Sequence, residues 1–136
     1  MTVAEKQSQL IEDFAFIEEQ QERLAAVVSH ARRLPSFPDS AKTEANGVVG
    51  CISQVWITAE LTDGRLRLRA DADSPLVKGL VALLIELYDN ATPADIVATE
   101  PVIFEKLDLL QTLTLTRKNG LAAVRARIKA LANNVT

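Results

Sequence analysis

One sulfur atom is the first candidate for chemistry in this chain. Cys51 is the only cysteine among 136 residues, and it stands in the stretch VVGCISQVWITAEL, directly after Gly50. As a bare residue it reads as a small buried hydrophobe, because free cysteines rank among the most buried types and such thiols are inert. Two local features favour the alternative, a thiol presented to a partner. Gly50 permits backbone angles closed to other residues, and the position lies at a loop–strand junction rather than in mid-strand.

The other polar residues do not build a self-contained site around that thiol. A cysteine hydrolase needs a histidine base held by a third group. The only histidine, His30, ends a helical stretch beside Arg32 and Arg33, where a surface or capping role is expected. One cysteine and one histidine are too few for a zinc or iron–sulfur site. No glycine-rich phosphate loop or dinucleotide fingerprint occurs. Arg65, Arg67 and Arg69 alternate along one strand face and read as a solvated surface with Glu60 opposite Arg67. Asp71 and Asp73 read as helix-entry acids rather than a calcium loop. Trp56 falls on the polar face of its strand, so a helix or a partner must cover it. What remains is a thiol that reacts without a resident base or cofactor. With a pKa of about 8.5 it is a few per cent ionised at neutral pH, enough when a partner presents an electrophilic sulfur.

The elements that must position this residue follow from periodicity. Leu10, Phe14, Ile17, Leu24, Val28 and Ala31 step by threes and fours, predicting one helix over 7–34 that Pro35 stops. LPSFPDSAKTEANG is then a long connecting loop. Two alternating runs flank Asp63-Gly64, a two-residue turn signal that pairs Leu61 with Leu66, Ala59 with Leu68 and Ile57 with Ala70. Ser74-Pro75 opens a helix over about 75–89 that is apolar nearly all round, and Thr92-Pro93 opens another over 93–98. A helix over 101–111 and a last one capped by Thr116, with Leu121, Val124, Ile128 and Leu131 inward, complete the chain. The class is α+β: a small antiparallel hairpin sheet, of two strands or three, packed against several helices in one domain over 1–136.

Composition narrows the partners. Hydrophobic residues make up 48% and charged residues 24%, with a net charge of −3. An acidic balance argues against nucleic acid and against a polybasic membrane anchor. The greasiest segment, LVKGLVALLIELY, carries Lys78 and Glu86 and is too short to span a bilayer. With no signal-peptide pattern and no disulfide, the cytoplasm is the expected compartment.

Several segments carry a family resemblance. GCISQVWI resembles the GC-x-S-x-VW signature of the SufE family, the sulfur acceptors of cysteine desulfurases. DADSPLVKGLVALLIELYDNATPADIV is similar to that family's V-[KR]-G-L and T-P-x-[DE]-I stretches, LTLTRKNGLAAV to its L-[ST]-x-[ST]-R-x-x-G-L pattern, and RLPSFPD to its LP-containing loop. The resemblance spans essentially the whole chain, in the expected order.

It implies that a pyridoxal-phosphate desulfurase of the SufS type hands sulfur to Cys51. Cys51 becomes a persulfide carrier, stimulates its partner and delivers sulfur to a SufBCD-type scaffold for iron–sulfur cluster assembly. Arg117, matching the arginine of the last motif, is implied to stabilise a thiolate or persulfide anion by charge. No cofactor or metal of the chain's own is implied. The fold is implied to resemble NifU/IscU-type scaffolds, as a homodimer. Ile52 and the segment Thr112–Arg117 depart from the family's commoner residues, while Gln54 follows the SufE form rather than its CsdE-like relative. The alternative reading is an adaptor that activates a desulfurase by contact alone.

Overall fold

The structure, a computed structural model, describes residues 1–50 and 53–135 and only the backbone of Thr112. Cys51 and Ile52 therefore lie outside the described residues. The element order is α1 (Val3–Ala15), α2 (Gln20–His30), β1 (Val55–Thr62), β2 (Arg65–Ala72), α3 (Pro75–Tyr88), α4 (Pro93–Ala98), α5 (Ile103–Lys106) and α6 (Leu115–Asn134). This is the expected α+β class.

The hairpin has the register that its turn dictates. Leu61 faces Leu66, Ala59 faces Leu68 and Ile57 faces Ala70. Asp63 and Gly64 both have positive φ, 53° and 77°, as a type I′ connection requires. Leu66, Leu68 and Ala70 on β2 and Val55 and Ile57 on β1 are buried, and β2 packs against α3. The sheet has two strands, β1 and β2.

α3 is the centre of the core. Its start matches the Ser74-Pro75 signal, and Leu80, Leu83, Leu84 and Leu87 are all sealed from water. Each such leucine contributes roughly 1.5–3 kcal/mol by leaving solvent. α2 crosses α3 at Gly79, where an added Cβ would lie 2.7 Å from the Val27 carbonyl oxygen and from the Val28 Cα. The two backbones touch, so only glycine fits.

Three helix boundaries differ from the sequence expectation, each because a side chain or a turn competes for backbone groups. The single helix over 7–34 is two. α1 begins earlier, with Thr2 and Glu5 forming a reciprocal capping box. The Glu19 carboxylate then accepts from the Gln21 and Glu22 amides and starts α2 afresh, in the gap between Ile17 and Leu24. The helix over 101–111 shrinks to α5 and a 3₁₀ turn at Leu110–Thr112, because Asp108 takes a positive φ of 56°. The cap of the last helix is Thr114, not Thr116: its hydroxyl accepts from the Arg117 amide at 3.3 Å. Leu121, Val124 and Ile128 are buried as expected, and Leu131 is half-buried.

Candidate functional site

The segment ahead of Cys51 is held in place by backbone pairing with β1. The Ile57 amide donates to the Asn46 carbonyl at 2.9 Å, and the Val48 amide donates to the Val55 carbonyl at 2.8 Å. The second bond closes the chain between Val48 and Val55 into a loop. Val48 anchors it in the core at 9% exposure, whereas its neighbour Val49 stands 89% exposed. At the far end the Gln54 amide donates to the Asp73 carboxylate and the Asp73 amide donates to the Gln54 carbonyl, both at 3.1 Å. Asp73 thus closes the loop, a more specific job than helix entry.

Gly50 has φ +103°, a region that favours glycine, and a Cβ built there would lie 3.2 Å from the Ala123 Cβ on α6. The positive φ favours the glycine found there, and a side chain would also press on Ala123. Ser53 lines a cavity of about 320 Å³ together with Val77 and Leu80 of α3 and Thr116, Arg117, Gly120 and Val124 of α6. The walls are largely apolar, and among the described residues Arg117 supplies their only charged side chain. Arg117 occupies the first turn of α6 and is exposed. It lies in the cavity wall with Ser53, two residues beyond Cys51 in the sequence.

The sequence gives no sign of a second arginine at this loop. Arg127 of α6 donates to the Gly47 carbonyl at 3.1 Å and to the Ala45 carbonyl at 2.6 Å. On the same loop, Lys42 pairs with Asp71 at 3.2 Å and with Asp39 at 3.3 Å, and its ammonium stands 5.4 Å from the centre of the Trp56 ring. Trp56 is half-buried, with Lys42 of the preceding loop over its ring. Burial raises the Asp71 pKa, but hydrogen bonds from Lys78, the Ala72 amide and Lys42 outweigh it and hold the carboxyl below its usual value. Asp71 bridges Lys42 to Lys78 of α3 and so ties the loop to the helix.

The remaining candidates fall elsewhere. His30 is buried, which corrects the surface role expected for it: it contacts Glu86 and meets the Phe14 ring edge-on at 5.5 Å. Burial pushes its pKa down, opposed by Glu86 and reinforced by Arg33. Arg67 forms its ion pair with Asp89 at 3.5 Å, not with Glu60, and Arg65 donates to the Asn90 carbonyl. Among the described residues no three His, Cys, Asp or Glu side chains cluster as metal ligands, and no helix is long and apolar enough to cross a membrane.

Residues 8–132 match the SufE family model, described as an Fe-S metabolism associated domain. An uncharacterised SufE-like protein of Rhizobium meliloti is 34% identical over 127 residues, covering 90% of this chain and 91% of that protein. A second, from Synechocystis, is 38% identical over 113 residues, 83% of this chain and 71% of its own length. The chloroplastic quinolinate synthase of Arabidopsis thaliana is 41% identical over 92 residues, which is 67% of this chain but 13% of that enzyme. A hypothetical protein from Thermus thermophilus, known as a solution structure, shares the fold with a TM-score of 0.78 over 95% of this chain and 94% of its own, at 24% identity. The chain belongs to the SufE family, and its role lies in iron–sulfur metabolism.

Proposed function

We propose that this chain is a sulfur acceptor, one domain over residues 1–136, that takes sulfane sulfur from a SufS-type cysteine desulfurase onto Cys51. The Cys51 thiolate attacks the outer sulfur of the desulfurase's cysteine persulfide. The bond between the two donor sulfurs breaks, a new persulfide forms on Cys51, and the donor cysteine leaves as a thiolate that takes up the proton Cys51 gave up. No net oxidation or reduction occurs, so neither partner needs a redox cofactor for this step. Restoring the donor thiol accelerates the desulfurase, and the carried sulfur passes on to a SufBCD-type scaffold. The reading includes a cytoplasmic setting and a homodimer.

The observation that carries this reading is the loop closed between Val48 and Val55, with glycine at φ +103° directly before Cys51 and an exposed valine before that. Such a loop suits a residue that must meet a partner's active site. Arg117, at the cavity that Ser53 lines, contributes positive charge for an anionic sulfur, and the amino end of α6 adds to it. The second reading, activation by contact alone, draws on Val49, whose 89% exposure offers an apolar docking point on the same loop. The two separate cleanly. Cys51→Ser abolishes desulfurase stimulation if sulfur is carried, and leaves it intact if contact suffices.

A further inference from the structure

A second cavity, open and about 390 Å³ in volume, lies where α1, α2, β2 and α3 meet, and among the described residues it shares no wall with the cavity beside Ser53. Three cations line it: Lys6 of α1, Arg33 of the turn after α2 and Arg67 of β2. The two carboxylates there are already engaged. Glu86 contacts the buried His30 ring and pairs with Arg33 at 3.6 Å, while Asp89 accepts from the Leu68 amide at 2.8 Å and pairs with Arg67 at 3.5 Å. Both arginine contacts are longer than a charged hydrogen bond, normally about 2.7–2.9 Å, so most guanidinium donors stay unspent. Lys6 makes one hydrogen bond among the described residues, to the Asp89 main-chain carbonyl at 2.6 Å, where a cation also suits the carboxyl end of α3. Two of its three protons remain. Burial outweighs the nearby carboxylates and lowers the Lys6 pKa, so this ammonium is short of water. The cavity therefore holds a surplus of donors and of positive charge, on a chain whose net charge is −3.

We propose that this cavity binds a small organic oxyanion, a phosphate or carboxylate carried on an apolar body. Lys6, Arg33 and Arg67 hold the oxygens, and Leu34, Ala82 and Ile85 line the part of the wall that takes the carbon body. Because the His30 ring and the Leu68 amide hold the two carboxylates, Arg33 and Arg67 can turn to a ligand without leaving either acid bare. An anion in this position relieves the repulsion among three like charges and gives Lys6 a counter-charge at close range. The volume falls within the range of ligand clefts, about 300–1,000 Å³. The site goes beyond sulfur transfer and does not depend on it.

The test is an NMR titration of the nitrogen-15-labelled full chain with phenyl phosphate, benzoate and inorganic phosphate, at fixed pH and ionic strength. The site predicts saturable shifts of the Leu68 and Asn90 amides, with at least one organic anion binding about threefold or more tighter than inorganic phosphate. Whichever of phenyl phosphate and benzoate binds tighter assigns the headgroup. Lys6→Gln and Arg33→Gln should each weaken that binding about tenfold, the loss of one charged hydrogen-bond partner. Arg69→Gln, on the same strand as Arg67 but outside the cavity, should stay within about twofold of wild type. Arg33 has a side chain 73% exposed, so its variant keeps the fold and decides the case even where Lys6→Gln does not fold. Shifts that grow linearly without saturating overturn the proposal. So does equal weakening in Arg69→Gln, which would mark general charge attraction, and so does inorganic phosphate binding as tightly as both organic anions.

Discussion

α6 carries two arginines two residues apart, and they hold the protein together in different ways. Arg125 is 7% exposed, sits 4.5 Å over the Tyr88 ring, and donates to the Ile96 and Thr99 carbonyls and to Glu100. Burial pushes the Tyr88 phenol well above its ordinary pKa, so it stays neutral and donates to the Thr99 carbonyl at 2.8 Å. Arg127, half-buried, reaches only two loop carbonyls. The first guanidinium ties α4 to α6 with stacking, a carboxylate and buried acceptors, and removing it strands several of them at once. The second holds a surface loop through bonds that water can replace. One helix thus serves the core on one side and a surface loop on the other, using the same residue type at different depths of burial.

The sharpest way to break that contrast is stability. Arg125→Met should cost about 3 kcal/mol in urea unfolding, because charged hydrogen bonds are lost from buried carbonyls, with the Glu100 part discounted for its exposure. A loss below about 1 kcal/mol would mean that Arg125 is not the core tie. Gly50→Pro comes next. Proline holds φ at about −65°, far from the observed +103°, so strain of about 1–2 kcal/mol is expected with the fold kept and desulfurase stimulation impaired. Undiminished stimulation would refute a role for this glycine in presenting the loop. Arg127→Met should cost only about 1 kcal/mol, as expected for exchanging two part-exposed hydrogen bonds for water. A cost equal to that of Arg125→Met would erase the distinction between the two faces.

The smallest expected effect concerns the α2–α3 contact. His30 in the folded chain binds its proton less tightly than in the unfolded chain, mainly through burial, with Glu86 opposing. A depressed folded value means that the stability it permits is present above the unfolded value of about 6.5 and is lost as pH falls through the folded one. Wild type should therefore show a lower urea midpoint at pH 5 than at pH 7, and His30→Gln a flatter profile. An equal slope in both proteins would assign the pH dependence to other groups.

Much of the frame was legible in the sequence, because local rules set it. Asp63-Gly64 specified the hairpin register pair by pair, and Ser74-Pro75 and Thr92-Pro93 marked the starts of α3 and α4. Misreadings arose where two local signals competed. Glu19 could continue a helix or cap a new one, and Thr114 and Thr116 are both good caps. Of the site, Gly50 and Arg117 were visible as residue types in a family pattern. Ser53 belongs to that pattern too, but the cavity it joins is assembled from α3 and α6, and Arg127 and the Asp73–Gln54 hydrogen bonds were not legible because their partners are backbone groups. His30 was misplaced because a lone histidine at a helix end gives no sign that Glu86, 56 residues later, will cover it.

The acceptor role stands or falls on sulfur at one atom. The chain is incubated with a SufS-type desulfurase, its pyridoxal phosphate and free cysteine, and the intact protein and its Cys51 peptide are weighed by mass spectrometry. The expected result is the added mass of one sulfur atom on Cys51 in wild type, with neither that mass nor desulfurase stimulation in Cys51→Ser. Full stimulation by the serine variant, or a wild-type thiol that gains no sulfur while the desulfurase turns over, would contradict it.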